Sequence, residues 1–450
     1  MKEICKPFLV HVVAVFFLIS TGNALALTLQ DAVRSTIETN PDIRAAAYNR
    51  LARDEQVRQA RADYFPKLEV SGGIGTDDVD KPFDDTLSPQ ELRISLRQNI
   101  FAGLATKNET ERQRARVKSE AYVVRATSEN SALKTSKAFL DVLRYQALLD
   151  LAKENLLVHQ QIGDQITLRS QSGVGRKADM DQVNSRIRLA QANVVVAEQN
   201  LADARTSYEA VVGVMPEDLL RPELPLELLP ASLDEAREAA LASHPTLQSA
   251  RADLDARKAQ DAVAKSPFMP SLDLEVDQVW EDEYNYSYSK REDLRALVRL
   301  RYNLFNGWKD QARKAETLHL IKEARQIRNH THRQVQESIR LSWMAYRAAS
   351  TRLPYLDQRV QFATATAKSY HQQWNIGKRT LLDVLDAEAE RIDARVQYID
   401  TDFNLLYAGY RVLNGMGRLI QALEVEMPVE AKVDAPPTLE EESAENSSGS

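Results

Sequence analysis

The segment Asn99-Ile100-Phe101-Ala102-Gly103 returns further along the chain as Asn303-Leu304-Phe305-Asn306-Gly307, at a separation of 204 residues. Other segments recur at the same separation: 28–32 at 232–236, 40–41 at 244–245 and 64–68 at 268–272. Later matches lie 202 residues apart: Gly175 with Gly377, Asp181 with Asp383, Tyr208 with Tyr410 and Gly213 with Gly415. A nearly constant separation over so many positions predicts a tandem duplication. Repeat 1 covers 27–214, repeat 2 covers 232–420, and a proline-rich linker at 215–231 joins them.

Residues 1–26 have the pattern of a secretory signal peptide. Lys2 and Lys6 form a basic segment, 8–19 is apolar, and Ala24-Leu25-Ala26 supplies the small residues of a cleavage site. The mature chain is therefore expected to begin at 27, with an N-terminal membrane anchor as the alternative. Cys5 is the single cysteine of the chain and would leave with the signal, which excludes disulfides and thiol chemistry.

Composition excludes two classes of protein. The 450 residues carry 27% charged side chains, a net charge of −7 and a mean hydropathy of −0.42. These values exclude a bundle of membrane-spanning helices, and the acidic balance argues against nucleic acid as a partner. The end of the chain is rich in Pro, Ser and Glu, so an acidic disordered tail is expected at 421–450.

Four segments alternate apolar and charged residues with a period of two. This alternation predicts strands at about 67–77, 90–100, 271–281 and 292–302. A soluble sandwich gives the same pattern, although a four-stranded soluble sheet needs an apolar partner to pack on. In an outer-membrane barrel the apolar face contacts lipid and the charged face lines a lumen. The charges expected in that lumen are Arg93, Arg97, Asp273, Glu275, Arg295 and Arg299.

A barrel built from these strands needs more than one chain. Bacterial transmembrane barrels have at least about eight strands, so the four strands of one protomer cannot close one. Dimers and trimers both satisfy closure. Aromatic residues near both ends of the strands suit the two membrane interfaces, although core aromatics at strand ends would give the same pattern.

The remaining segments predict unusually long helices. Residues 106–171 contain a single glycine, Gly163, and residues 308–374 contain Pro354 as a possible kink. At about 1.5 Å per residue each helix would be roughly 100 Å long. The opening helices at 29–63 and 233–264 and the return helices are about half as long. The return helices carry apolar heptads, which indicate coiled-coil packing. Two half-length helices placed end to end would match one long helix in the wall of a tube.

The second hairpin contains the sequence WNIGKRTLLDVLDAE at 374–388. This motif, with the Asn-Leu-Phe-Asn-Gly at 303–307, resembles the TolC family of outer-membrane channel-tunnels, and the likeness covers nearly all of 27–420. The resemblance implies a mixed α+β membrane protein. In that fold a trimeric twelve-stranded outer-membrane β-barrel is continuous with a long periplasmic α-helical barrel. It also implies a location in the outer membrane of a Gram-negative cell, in contact with lipid.

The resemblance further implies a non-enzymatic exit duct in a tripartite export machine. An inner-membrane ABC or RND transporter and a periplasmic membrane-fusion adaptor would deliver proteins, small molecules or both to a homotrimer. The tip motif resembles that of the type I secretion branch, and the absence of a lipobox cysteine agrees with this resemblance. A multidrug-efflux channel without a secretion role is the alternative. A periplasmic coiled-coil adaptor is a further alternative, which would show one hairpin and no strand pairs.

The hairpin tips, at about 172–181 and 375–383, carry the residues that the resemblance singles out. Asp383 and Asp386 lie three residues apart on one helix and therefore share a face. In a trimer they would form a ring of carboxylates, which is the periplasmic constriction of the family. Crowded carboxylates raise one another's pKa and attract cations. The helix dipole, which favours acids in the first turn, is the alternative explanation.

A second group of tip residues occupies family positions whose polar bonds hold the tunnel closed. The indole N–H of Trp374 is expected to donate to Asp181. Met180 lies where the family often has a hydrogen-bonding side chain, so Arg379 is expected to bond Asp181, Asp179 or a backbone carbonyl.

Other candidate sites are weak. His330 and His332 lie about 200° apart on a helix, which makes a poor metal pair. No metal site, cofactor site or nucleophile–base set is predicted. The acidic loops at 76–89 and 281–291 are expected to face the exterior.

Overall fold

The computed structural model describes residues 27–79, 85–172, 176–283 and 290–433. The expected signal peptide, the centre of the first hairpin tip and the end of the acidic tail lie outside these residues. Parts of the two strand-connecting loops lie outside them as well.

The elements of the two repeats follow the same order. Repeat 1 consists of α1 (Leu29–Thr39), α2 (Pro41–Ala62), β1 (Lys67–Ile74), β2 (Asp77–Val79), β3 (Asp85–Leu87), β4 (Gln90–Ala102), α3 (Ala105–Gln171) and α4 (Lys177–Val212). Repeat 2 consists of α5 (Leu233–Ser243), α6 (Pro245–Ala264), β5 (Ser271–Asp282), β6 (Arg291–Arg301), α7 (Lys309–Asn375) and α8 (Leu381–Gly415), and α9 (Leu419–Ala422) follows. Short 3₁₀ turns occupy 226–228, 266–268 and 429–431.

Each opening segment is two helices and not the single helix expected at 29–63 and 233–264. The breaks fall before Pro41 and Pro245, each of which is the first residue of the next helix. Proline has no N–H and its ring blocks the preceding turn, so it begins a helix more easily than it continues one. At the first break the Asn40 side chain caps α2 by accepting from the N–H groups of Asp42 at 2.9 Å and Ile43 at 3.4 Å.

The main sheet has the strand order β1-β4-β5-β6, with every neighbouring pair antiparallel. The first strand ends at Ile74, short of the expected 77, because β2 and β3 form a separate two-stranded ribbon. Directly opposed residues share a face of a sheet. The register opposes Leu68 to Leu96 and Arg97 to Glu275, so it collects the apolar residues on one face and the charged residues on the other.

The helices form a layered wall. The long helices α3 and α7 have 67 residues each, and α3 contacts α2, α4, α6 and α8. The opening helices and the return helices pack along these long helices, with α1 also contacting α4. The chain continues as helix through Pro354. Gly163 lets α3 approach α4 closely, since a Cβ there would lie 2.9 Å from Cδ1 of Ile187. Within the described ranges, no helix has the length and apolarity that crossing a membrane requires.

The largest apolar core lies where the short helices α1, α5 and α9 pack against the long ones. Phe139, Tyr208, Ile339 and Leu413 are almost fully buried there. The linker closes this core from the side. Its backbone pairs with the start of the described chain, since the N–H of Leu27 donates to the carbonyl of Asp218 at 2.8 Å. The guanidinium of Arg221 donates to both carboxylate oxygens of Asp402 at 2.6 and 2.8 Å.

The expectation of disorder from 421 onward is wrong for residues 421–433. Leu423 and Val425 are buried in the main core, and Ala431 is also buried. The acidic composition of this region predicts disorder, but a few apolar side chains pack it against the main core. Residues 434–450 lie outside the described chain.

Candidate functional site

Two carboxylates on the charged face of the sheet are buried. Asp273 and Glu275 expose only 6% of their surface each. Asp273 accepts from the amide of Asn99 and from Nη1 of Arg301, both at 2.8 Å, and Glu275 accepts from Nε of Arg299 at 2.7 Å. Charge-assisted bonds of this kind compensate for the desolvation of a carboxylate. Arg301 was not among the expected lumen charges, although it continues the same odd-numbered alternation.

The remaining expected charges lie on the same face. Arg97 is 3.6 Å from Glu275, and Arg93 donates from Nε and Nη2 to Glu91 at 2.9 and 2.7 Å. Arg295 is opposed to Asp277 in the register of β5 and β6. Ion pairs and hydrogen bonds centred on Asp273 and Glu275 therefore join β4, β5 and β6 on this face.

The opposite face is apolar and uncovered in the protomer. Leu68, Val70, Leu294, Val298 and Leu300 each expose between 64% and 72% of their surface. Among the described strands, β1 and β6 each pair on one side only. A sheet with a bare apolar face and two free edges is suited to contact with lipid and to pairing with further strands.

At the tip of repeat 2, Asp383 has a local structural role. It forms a capping box with Thr380: its carboxylate accepts from the backbone N–H at 2.9 Å and from the hydroxyl at 2.8 Å, and its own N–H donates back at 3.2 Å. These bonds, with Arg379 nearby, hold the pKa of Asp383 below its usual value. Within the protomer this shift is opposite in sign to the one expected from a crowded ring.

Asp386 is free of such a role and points away from its own hairpin. Its side chain is 61% exposed and lies 3.4 Å from Nη2 of Arg186 on α4. This contact joins the tips of the two repeats. The sequence contained no signal for the pair, because the two residues are 200 positions apart.

Within the protomer, Trp374 does not bond Asp181. Trp374 is 4% exposed and packs in an apolar cluster with Val183, Leu385 and neighbouring residues. The guanidinium of Arg169 lies 4.0 Å from the centre of its ring. Burial in the seam between the hairpins therefore directs the indole toward packing and cation–π contact.

Arg379 likewise bonds within its own hairpin and not to Asp181 or Asp179. Its Nε donates to the side-chain oxygen of Gln373 at 3.1 Å, and its guanidinium lies 4.1 Å from the ring centre of Tyr370. Neither Asp181 nor Asp179 forms an ion pair with any described residue. The turn at 376–380 is short, so the arginine reaches the end of the preceding helix first.

An ion-pair network that the sequence did not indicate joins the two repeats above the tips. Glu154 on α3 accepts from Arg391 at 2.8 Å and from Arg395 at 2.6 Å, both on α8. Arg391 also donates to Glu388 at 2.7 Å. Arg391 is 8% exposed and Glu388 is 6% exposed, so removing one charge would leave its partner buried and unpaired.

In the part of the chain that the structure describes, no cluster of three or more His, Cys, Asp or Glu side chains could hold a metal ion.

Comparison with known proteins agrees with this architecture. The model of the outer membrane efflux protein family matches residues 32–214 and 236–414. The outer membrane efflux protein BepC of Brucella suis is 22% identical over 417 residues, covering 92% of this chain and 91% of the relative. The alkaline protease secretion protein AprF of Pseudomonas aeruginosa is 23% identical over 436 residues, covering 90% of this chain and 88% of the relative.

The fold is also shared with solved channels. The crystal structure of CusC superposes with a TM-score of 0.77 at 16% identity, covering 89% of this chain and 93% of that one. The family consists of channel proteins and not of enzymes. Because the family match includes both repeats, the chain belongs to the outer membrane efflux protein family.

Proposed function

We propose that three copies of this chain form an exit duct across the outer membrane. The protein lies in the outer membrane and extends into the periplasm, as its family does. The observation that carries the proposal is the segregated sheet, with a bare apolar face, a charged opposite face and two unpaired edges. Three such sheets would give twelve strands, and the charged network of Asp273, Glu275 and Arg301 would line the water-filled interior.

The duct would work in a tripartite export machine. Its partners would be a periplasmic membrane-fusion adaptor and an inner-membrane ABC or RND transporter, with outer-membrane lipid around the barrel. The similarity to AprF, a protease secretion protein, and to the secretion-type tip motif supports passage of proteins. The similarity to BepC, an outer membrane efflux protein, supports efflux, so efflux of small molecules without protein secretion is the second candidate.

A deletion strain separates these two cargoes. Loss of one or more secreted proteins from the medium, restored by the gene in trans, would support type I secretion. Increased sensitivity to drugs with an unchanged secreted proteome would contradict secretion and support efflux. Migration as a monomer after mild extraction of outer membranes, without an SDS-resistant trimer, would contradict the shared barrel.

We propose that Asp383 and Asp386 form the periplasmic constriction. Asp386 is exposed and three copies would bring its carboxylates toward one axis, whereas Asp383 contributes charge while capping α8. The Arg186–Asp386 pair is then one of the contacts that would break if the two hairpins separated.

Single-channel recording in planar bilayers tests this assignment. The double variant Asp383→Asn and Asp386→Asn should weaken block by multivalent cations, because the ring loses its negative charge. The variant Asp181→Asn is the matched control at the other tip, and it should leave the block nearly unchanged. An unchanged block in the double variant would contradict the ring.

A further inference from the structure

A groove at the end of the sheet nearest the helices combines cations with exposed aromatic rings. It has a volume of about 630 Å³ and lies between the end of α2 and the start of α3. It is lined by Arg58, Arg61, Tyr64, Phe65, Lys107, Thr110, Glu111 and Arg114. The position is the boundary between the strands and the helices, which in an outer-membrane protein is the periplasmic membrane interface.

The cations of the groove are largely unneutralised. Arg58 pairs with Glu55 at 2.7 Å, whereas Arg61, Lys107 and Arg114 form no ion pair with any described residue. Glu111 is the single carboxylate in the lining. Lys107 and Arg114 are seven residues apart on α3 and therefore lie on one helical face. The groove thus gathers an excess of positive charge that the protomer itself does not compensate.

The aromatic rim of the groove is exposed. Tyr64 is 51% exposed and Phe65 is 68% exposed, although both have large aromatic side chains. The connection that carries them is held by the amide of Gln98, which donates to the carbonyl of Tyr64 at 3.1 Å. Three residues later Leu68 begins the bare apolar face of the sheet. The aromatic rings of the rim therefore lie between the apolar face of the sheet and the cations of the groove. The same order of apolar, aromatic and cationic groups is typical of protein surfaces at the lipid headgroup region.

The duplicated half shows that the fold does not require these charges. At the separation of 204 residues, Lys107 corresponds to Gln311 and Arg114 to Leu318. Arg61 corresponds to Lys265, but that lysine is neutralised by Asp261 at 2.6 Å. The corresponding setting in repeat 2 therefore carries fewer unneutralised cations, and the one that lies beside its aromatic residue is Lys314, 5.9 Å from the ring centre of Phe268.

We propose that this groove binds the phosphate group of an anionic phospholipid in the periplasmic leaflet of the outer membrane. The three unpaired cations contact the phosphate, and Tyr64 and Phe65 lie against the glycerol and the first acyl carbons. The charge of the groove excludes a cationic ligand, and its aromatic rim on the side of the membrane favours a lipid over a soluble anion.

Native mass spectrometry of the purified full-length protein tests the proposal. Phosphatidylglycerol and phosphatidylcholine with identical acyl chains are added in separate titrations, and retained lipid is counted per protomer. Wild-type protein should retain phosphatidylglycerol at least tenfold more strongly. The triple variant Arg61→Gln, Lys107→Gln and Arg114→Gln should lose that preference, since each cation near an anionic lipid contributes about fivefold.

A charge-matched control removes three exposed cations of α7 far from the sheet: Arg340→Gln, Arg352→Gln and Lys368→Gln. This control should keep the wild-type preference. Equal retention of the two lipids by wild-type protein would overturn the proposal, even if the triple variant failed to fold. So would an unchanged preference in a folded triple variant. Full displacement of phosphatidylglycerol by soluble glycerol phosphate would also overturn it, because the site would then be an anion site and not a lipid site.

Discussion

We expect the docking of α9 against α3 to depend on pH, and the substitution Glu129→Gln to abolish this dependence. Glu129 lies on α3, is 1% exposed, and accepts from the N–H groups of Leu419 at 3.0 Å and Ile420 at 3.4 Å. It therefore holds the first turn of α9 against the long helix. Burial raises the pKa of this carboxyl to about 7, from an ordinary value of 4.5, even though the two N–H bonds and Arg125 oppose the rise.

The sign and size of the effect follow from this shift. When α9 detaches and water reaches the carboxyl, the pKa returns toward 4.5, so between pH 4.5 and 7 the docked state holds the proton more tightly than the detached state. Docking is therefore most stable below pH 4.5 and weakens as the pH rises through 7. The difference between a pKa of about 7 and one of 4.5 corresponds to about 3 kcal/mol, or roughly a 300-fold change in the detachment equilibrium over the full titration.

Hydrogen exchange measured by mass spectrometry reports this equilibrium for peptides that cover 419–423. After correction for the intrinsic pH dependence of exchange, protection in wild-type protein should fall about a hundredfold between pH 5 and pH 8. The Glu129→Gln variant, which keeps the size and one acceptor, should show no such fall. Glu154→Gln is the matched control and should retain the wild-type slope at α9. Equal protection at pH 5 and pH 8 in wild-type protein would refute the argument, as would a slope that persists in Glu129→Gln.

Two further substitutions test local contacts. Gly409 lies under the linker, where an added Cβ would overlap the side chain of Leu224. The variant Gly409→Ala should therefore weaken docking of the linker by about 1–3 kcal/mol. Faster proteolysis of the linker would report this weakening, and the additional substitution Leu224→Ala should restore resistance. Thr380→Val removes the side-chain cap of α8 and should destabilise its first turn by about 1 kcal/mol. Hydrogen exchange of that turn should accelerate. Unchanged exchange would argue against a contribution from the cap.

Much of the architecture follows from patterns within short windows of the chain. The residue pairs at constant separation predict the duplication, and the period of two predicts four strands whose register gathers the apolar side chains on one face. The apolar periodicity predicts continuous opening helices, whereas Pro41 and Pro245 divide each of them into two. The two-stranded ribbon of β2 and β3 was missed because each strand has only three residues, too few to show alternation.

The tip shows why site residues were harder to predict. Asp383 and Asp386 both lie on α8, three residues apart, but their partners differ. Thr380 bonds one and Arg186 the other. Within the protomer Trp374 contacts Arg169 of the first hairpin in place of the expected Asp181, and Arg379 bonds Gln373 of its own hairpin. A side chain with several partners within reach takes the one that its burial and rotamer allow, and no spacing in the sequence encodes that choice.

Periodicity, repetition and helix-breaking residues are properties of neighbours along the chain, so the order of elements and the one-sided sheet could be derived from residues alone. Contacts such as Arg186 with Asp386, Glu154 with Arg391 and Glu129 with the start of α9 join residues 200 to 290 positions apart. They exist because folding brings polar atoms of distant helices to within 2.8–3.4 Å of one another, where desolvation and hydrogen-bond geometry select the partner. The three-dimensional arrangement alone therefore fixed the charge network between the repeats, the docked C-terminal segment and the cationic groove at the membrane boundary.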